Sequence, residues 1–268
     1  YMEALRKKAR ELLESKAVAM VIGYGEAADK TVRAVFIRKP EDAAQLIYDK
    51  LCIQNLAFYF TKSEIREIGR SAVIAALPGL RTILQLASEN QVKESNILVL
   101  GVTPQGTIQE FAGFKELEAY IAACDLDLPA KDREIIQKLE SMTREERLKF
   151  WIEQLSRCIK CYACRAACPL CYCGRCQVEY NQPQVITVEA TPLGNLEWHF
   201  MRAMHLAGRC TDCGDCGRAC SLGIPIHLLT YKTGLTVQDK FGDRSGVSAS
   251  LESIMSSFKS EDKENFFL

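Results

Sequence analysis

The chain has 268 residues, with 34 Lys and Arg against 34 Asp and Glu and only three histidines. That balance gives no electrostatic reason to expect nucleic acid or an acidic membrane surface as a partner, and no run of about 18 apolar residues is present to span a bilayer. Tyr1-Met2-Glu3-Ala4-Leu5 runs straight into an amphipathic pattern with no signal-peptide core, which predicts a cytoplasmic protein.

Residues 3–16 place Leu5, Ala9, Leu12 and Leu13 at helical spacing. Val18-Ala19-Met20-Val21-Ile22 reads as a buried strand. Gly23-Tyr24-Gly25-Glu26 follows it and either contacts a phosphate or flavin or forms a plain turn; the turn is favoured because the third glycine and the helix start of a dinucleotide fingerprint are lacking. Residues 31–37 are β-branched and alternating, 40–48 read as helix, and 72–77 as another buried strand. Pro78-Gly79 breaks that strand and helix resumes over 80–88. Arg81 either meets an anion at the helix start or lies in an ordinary strand-to-helix turn. Residues 96–102 form a further strand, ended by Thr103-Pro104-Gln105-Gly106. This alternation predicts an α/β N-terminal domain over 1–130 with a parallel sheet. Residues 131–157 read as a helical connector, where Thr143-Arg144-Glu145-Glu146 resembles a capping box one residue short.

Cysteine is the outlier. Thirteen are present, and eleven fall between Cys158 and Cys220. Cys52 and Cys124 stand apart and read as buried thiols. An odd count at two-residue gaps argues for metal ligation over a disulfide scaffold. Cys158-x2-Cys161-x2-Cys164-x3-Cys168-Pro169 recurs as Cys210-x2-Cys213-x2-Cys216-x3-Cys220-Ser221, the run of bacterial two-cluster ferredoxins. Three closely spaced thiolates wrap one cubane and the fourth crosses to the other. Cys158, Cys161, Cys164 and Cys220 are therefore expected on one [4Fe–4S] cluster, and Cys210, Cys213, Cys216 and Cys168 on a second. Zinc usually takes two separated pairs, and each triplet would leave it a thiolate over. The expected fold is an α/β N-terminal domain followed, over 158–235, by a two-[4Fe–4S] bacterial ferredoxin-like module with a long insertion.

Cys171, Cys173 and Cys176 are surplus to that pattern. They read as ligands of a third iron–sulfur cluster with a fourth ligand from elsewhere, or as buried thiols. His205, five residues before Cys210, either ligates such a cluster, hydrogen-bonds a sulfide or lies at the surface; His199 and His227 carry less signal. The insert 169–209 has a β-like stretch at 185–188 and a helical one at 195–206, and is expected to serve contacts with other subunits. From Cys158 to Lys232 seven Lys or Arg face five Asp or Glu, which fits a fixed relay better than an acidic mobile carrier. Residues 236–268 read as a weakly ordered tail whose Phe258 and Phe266-Phe267 are placed to dock on a partner.

Val21-Ile22-Gly23-Tyr24, Val35-Phe36-Ile37 and Leu51-Cys52-Ile53-Gln54-Asn55-Leu56 resemble the beta-subunit family of coenzyme F420-reducing hydrogenase and formate dehydrogenase. Cys158-Ile159-Lys160-Cys161-Tyr162-Ala163-Cys164 with Cys168-Pro169-Leu170-Cys171-Tyr172-Cys173 is similar to bacterial relatives associated with heterodisulfide-reductase-type complexes. The resemblance implies an iron–sulfur electron-transfer subunit linking a dehydrogenase or hydrogenase subunit to a flavoprotein. It departs at Pro78-Gly79-Leu80-Arg81, where many members of the group carry a cysteine. An autonomous FAD- or F420-dependent reductase and a non-catalytic iron–sulfur sensor or structural module are the alternatives.

Overall fold

Unbroken apolar runs make the centre of a five-stranded sheet. The computed structural model describes residues 2–250. Strands β1 (Met20–Glu26), β3 (Ser71–Ala75) and β4 (Ile97–Val102) are buried along almost their whole length, as strands covered on both faces must be. They pair in parallel, β1 with β3 and β3 with β4. The edges are β2 (Val32–Ile37) and β5 (Ile108–Phe111), which join antiparallel to β1 and β4 and are partly exposed. The order β2-β1-β3-β4-β5 is therefore mixed, not all-parallel. The difference has a local cause. Both edge strands follow their partners through short turns, which close hairpins, whereas parallel pairing needs a longer crossover.

Helix α1 (Met2–Glu14) buries Leu5, Ala9, Leu12 and Leu13 against this sheet. Residues 40–45 form a 3-10 helix, after which Ile47 bridges to Tyr24. Gly23 and Gly25 lie inside β1 rather than in a turn. Helix α2 (Ser63–Ile68) leads into β3, and α3 (Leu77–Ser88) follows it. Pro78 and Gly79 belong to the first turn of α3, where proline's missing N–H would have had no partner anyway. Helix α4 (Phe114–Ala122), which carried no separate expectation, buries Leu117 and Ile121.

The connector is two helices, α5 (Ala130–Ser141) and α6 (Arg144–Ser156). The capping box between them is complete. The Glu146 N–H donates to the Thr143 hydroxyl at 3.2 Å, and the Thr143 N–H donates to the Glu146 carboxylate at 2.8 Å. Then come α7 (Ala163–Ala166), α8 (Pro192–His205), α9 (Asp215–Arg218) and α10 (Ile226–Phe241). Residues 185–188 form no strand. Val185 is 77% exposed with no strand beside it, and the Asn181 side chain accepts the N–H groups of Val185 and Ile186.

The cysteine-rich segment sits directly on the sheet domain. Cys168, Leu170 and Leu206 join the core around the sheet, while Trp151, Leu155, Trp198 and Leu228 belong to a second core. Helix α3 clasps the two parts. Buried Arg81 meets Asp212 at 2.9 Å and donates to the Thr211 and Ser245 carbonyls. These partners take up both of its terminal nitrogens. About two turns of helix later, Glu89 accepts both Nε and Nη2 of Arg209 at 2.7 and 2.6 Å, and the Tyr172 hydroxyl at 2.7 Å. Residues 243–250, expected as tail, close the same clasp. Gly246 donates to the Gln85 side chain, and a side chain at Gly246 would collide with the Arg81 carbonyl 2.5 Å away. Phe258, Phe266 and Phe267 lie outside the described residues.

Arg81→Met leaves Asp212 short of a buried partner. The expected loss is about 3 kcal/mol, at the low end for breaking a buried pair because Arg244 also reaches Asp212 at 3.3 Å. The urea unfolding midpoint measures it, and an unchanged midpoint would contradict the clasp.

Candidate functional site

The two repeats adopt the same backbone. Lys160 and Tyr162 in the first loop, and Asp212 and Gly214 in the second, all have positive φ, between 50° and 76°. Each loop then enters a four-residue helix, α7 or α9. Alternation between left- and right-handed residues turns successive N–H groups inward, forming a concavity for negative charge. The sulfurs receive them: the Lys160 N–H lies 3.3 Å from Cys158 Sγ, and the Asp212, Asp215 and Gly217 N–H groups reach Cys210, Cys213 and Cys216.

Two small cavities collect the thiols. One is lined by Cys158, Cys161, Cys164 and Cys220, with Ile159, Trp198 and Ile224 among its walls. The other is lined by Cys168, Cys210, Cys213 and Cys216, with Leu170, Leu206 and Tyr231. Each quartet thus joins three cysteines of one repeat to the fourth of the other. Cys164 and Cys216, one from each quartet, are close enough to interact electrostatically. Burial pushes the Cys164 and Cys210 thiols up to about 12. Such a quartet carries thiolate charge only against cations, and the inward amides stabilise the same charge.

Among the described residues no three His, Cys, Asp or Glu groups converge as a single metal ion requires. A cubane asks for something wider, because each thiolate takes a separate iron at a corner.

The three surplus cysteines take different environments. Cys171 is partly buried, and its thiol is raised above its ordinary value first by a hydrogen bond with Cys168 and then by burial. Cys173 is exposed, and Cys176 is partly buried near Tyr162.

The histidine beside the cysteine loops is His199 rather than His205. His199 is buried with Nε2 3.3 Å from Cys158 Sγ, and burial, then Arg202 and Lys160, hold its imidazole down at about 4. His205 is exposed. Helix α8 explains the difference. The sequence reads as an insert for outside contacts, yet one face of α8 buries Asn195, Trp198, His199 and Arg202 beside the cysteine loops. Their spacing of three and four residues was the available signal.

A third cavity, of about 910 Å³, opens at the carboxyl ends of β3 and β4. Ala75, Ala76, Pro78 and Gly79 line one side, Val102 and Thr103 another, and Cys213, Gly214 and Arg218 a third. The ends of parallel strands are where open α/β sheets place ligands, and the volume falls within the usual range for small-molecule sites. Cys52 also faces it, and burial raises its thiol to about 11.

No protein-family model matches the chain. Over 104 residues it is 35% identical to the F420-dependent formate dehydrogenase subunit beta of Methanocaldococcus jannaschii, a match covering 39% of this chain and 27% of that protein. Over 97 residues it is 31% identical to the F420-dependent formate dehydrogenase 1 subunit beta of Methanococcus maripaludis, covering 36% of this chain and 24% of that protein. The protein is thus a mixed α/β domain carrying a cysteine-rich module. It resembles formate dehydrogenase beta subunits, and the match spans about a quarter of their length. No helix among the described residues is long and apolar enough to cross a membrane.

At pH 7.5 Cys173 is expected to react with iodoacetamide in the native chain while Cys52 stays unmodified until unfolding, because only the thiolate attacks. Mass spectrometry of the labelled peptides measures this; equal labelling of the two would contradict their placement.

Proposed function

We propose that the chain is the iron–sulfur electron-transfer subunit of a formate dehydrogenase-type oxidoreductase complex. It would bind two [4Fe–4S] clusters through Cys158, Cys161, Cys164 and Cys220, and through Cys168, Cys210, Cys213 and Cys216. The observation that carries this reading is the pair of cavities, each lined by one such quartet. When bound, the clusters supply one-electron acceptance and donation. The chain's own residues do the rest. The loop amides stabilise the anionic centres, and Trp198, Ile224, Leu170 and Leu206 exclude water.

The surroundings favour a relay between two docking sides. The second quartet shares Cys213 with the large cavity. The first is flanked by Ile159, 63% exposed, and by Leu222, also exposed. On the outer face of α8, Leu193, Phe200, Met201 and Met204 are exposed as well. Solvent-facing apolar side chains beside a redox centre suit contact with a dehydrogenase or hydrogenase subunit. On this reading the chain is divided into the α/β domain (1–130), the helical connector (131–157) and the dicluster module (158–235), and works in the cytoplasm.

The large cavity favours a second reading, in which FAD or F420 binds in the α/β domain and the chain acts as a reductase itself. There Pro78 and Gly79 at the start of α3, Cys213 and Arg218 are among the residues that would hold the cofactor.

After anaerobic purification the chain should contain about eight irons and eight labile sulfides. About twelve would bring Cys171, Cys173 and Cys176 in as ligands of a third cluster, and fewer than about four would overturn the two-cluster reading. Gly214→Val places a side chain 2.8 Å from Arg218 and 3.0 Å from the Tyr231 hydroxyl in a left-handed position, and should remove about half the iron. Saturable FAD binding with its bright absorbance would support the second reading, and full clusters without it would sink that reading.

A further inference from the structure

Arg202 is a buried cation set between the two cysteine quartets. It is 3% exposed and donates from Nη2 to the Cys164 carbonyl at 3.1 Å. Its guanidinium also lies close enough to the thiols of Cys171, Cys168, Cys216 and Cys164 to interact with them electrostatically. Cys164 lines one small cavity, and Cys168 and Cys216 line the other. No carboxylate forms an ion pair with it among the described residues, and its Nε has no hydrogen-bond partner. Burying a guanidinium without an opposing charge costs far too much to serve packing alone. The charge it is placed against is that of the sulfur ligands.

We infer that Arg202 is a positioning residue that sets the reduction potentials of both clusters, by holding one fixed positive charge between them. The inference rests on the two-cluster reading. Each [4Fe–4S] centre gains one electron on reduction and becomes more negative by one charge. A nearby cation favours that product over the oxidised form, so the potential rises. The site is buried, so water and salt screen the effect little. Because both quartets share the residue, one substitution moves both centres in the same direction. His199 and Asn195 act differently: they are neutral groups that face the Cys158 side alone.

The test is an EPR-monitored redox titration of the full chain, with dithionite as reductant, alongside iron and sulfide analysis. Arg202→Gln should keep about eight irons while lowering the reduced-to-oxidised ratio of both centres about tenfold at a fixed potential, a shift of about 59 mV for a one-electron couple. Arg202→Lys keeps the charge and should stay closer to wild type. Fully loaded Arg202→Gln with unmoved potentials would overturn the proposal, as would a shift confined to one centre. If Arg202→Gln fails to hold its clusters, Arg202→Met replaces it, being of similar length and apolar. Cluster loss in both neutral variants with retention in Arg202→Lys supports the need for charge, and loss in all three overturns it in favour of a structural role. Iron-poor wild-type protein would mean that the two-cluster reading itself has failed.

Discussion

The buried pair of Arg81 and Asp212 is the constraint on which the rest of the arrangement depends. Arg81 stands in the first turns of α3, directly after the central strand β3. Asp212 stands in the second cysteine loop, between Cys210 and Cys213, with positive φ. One ion pair therefore fixes the loop that carries three thiols to the helix that begins at the mouth of the large cavity. Thr82 adds a hydroxyl contact to Thr211 at 2.6 Å, and the Asn55 N–H reaches the Asp215 carboxylate at 2.8 Å. These contacts are buried, and each leaves a polar group unsatisfied if its partner is removed, so they act as a set.

From this follows the relation between cavity and cysteines. Cys213 and Gly214 are held as part of the cavity wall rather than on a separate lobe. A tethered ferredoxin free to swing would not keep a thiol at a fixed place relative to the strand ends. Helix α8 does the matching work on the other side. It packs between α6 and α10 and turns Asn195, His199 and Arg202 toward the loops. The cysteine loops are thus clamped between a sheet domain and a helix that lies within their own long insertion.

The sequence made some of this legible and hid the rest for physical reasons. The buried strands were readable because apolar runs bounded by breakers have few other uses. The repeat was readable because its cysteines recur at identical gaps, and the matched positive-φ pattern at Lys160, Tyr162, Asp212 and Gly214 shows how alike the two loops are. Edge strand β2 was readable from its alternation but its antiparallel pairing was not, and β5 was missed because Thr103-Pro104-Gln105-Gly106 reads equally as the end of a strand and as a turn between two. The Thr143 capping box was underrated, although its spacing was complete. His199 was passed over for His205 because nearness in sequence to Cys210 is a poor guide when a helix brings Cys158 alongside. Arg81 read either as an anion contact or as part of an ordinary strand-to-helix turn, and its partner Asp212 lies 131 residues away, beyond any local pattern. Residues 243–250 looked like tail because their composition is polar, but their backbone groups are taken up by α3 and α4.

Crossed ligation is the claim that most directly joins sequence to structure here. EPR spectra of the reduced chain with Cys220→Ala, set beside those of Cys158→Ala and Cys210→Ala, test it. The account predicts that Cys220→Ala and Cys158→Ala remove the same cluster signal and leave the other. Loss of the signal that Cys210→Ala removes would contradict it.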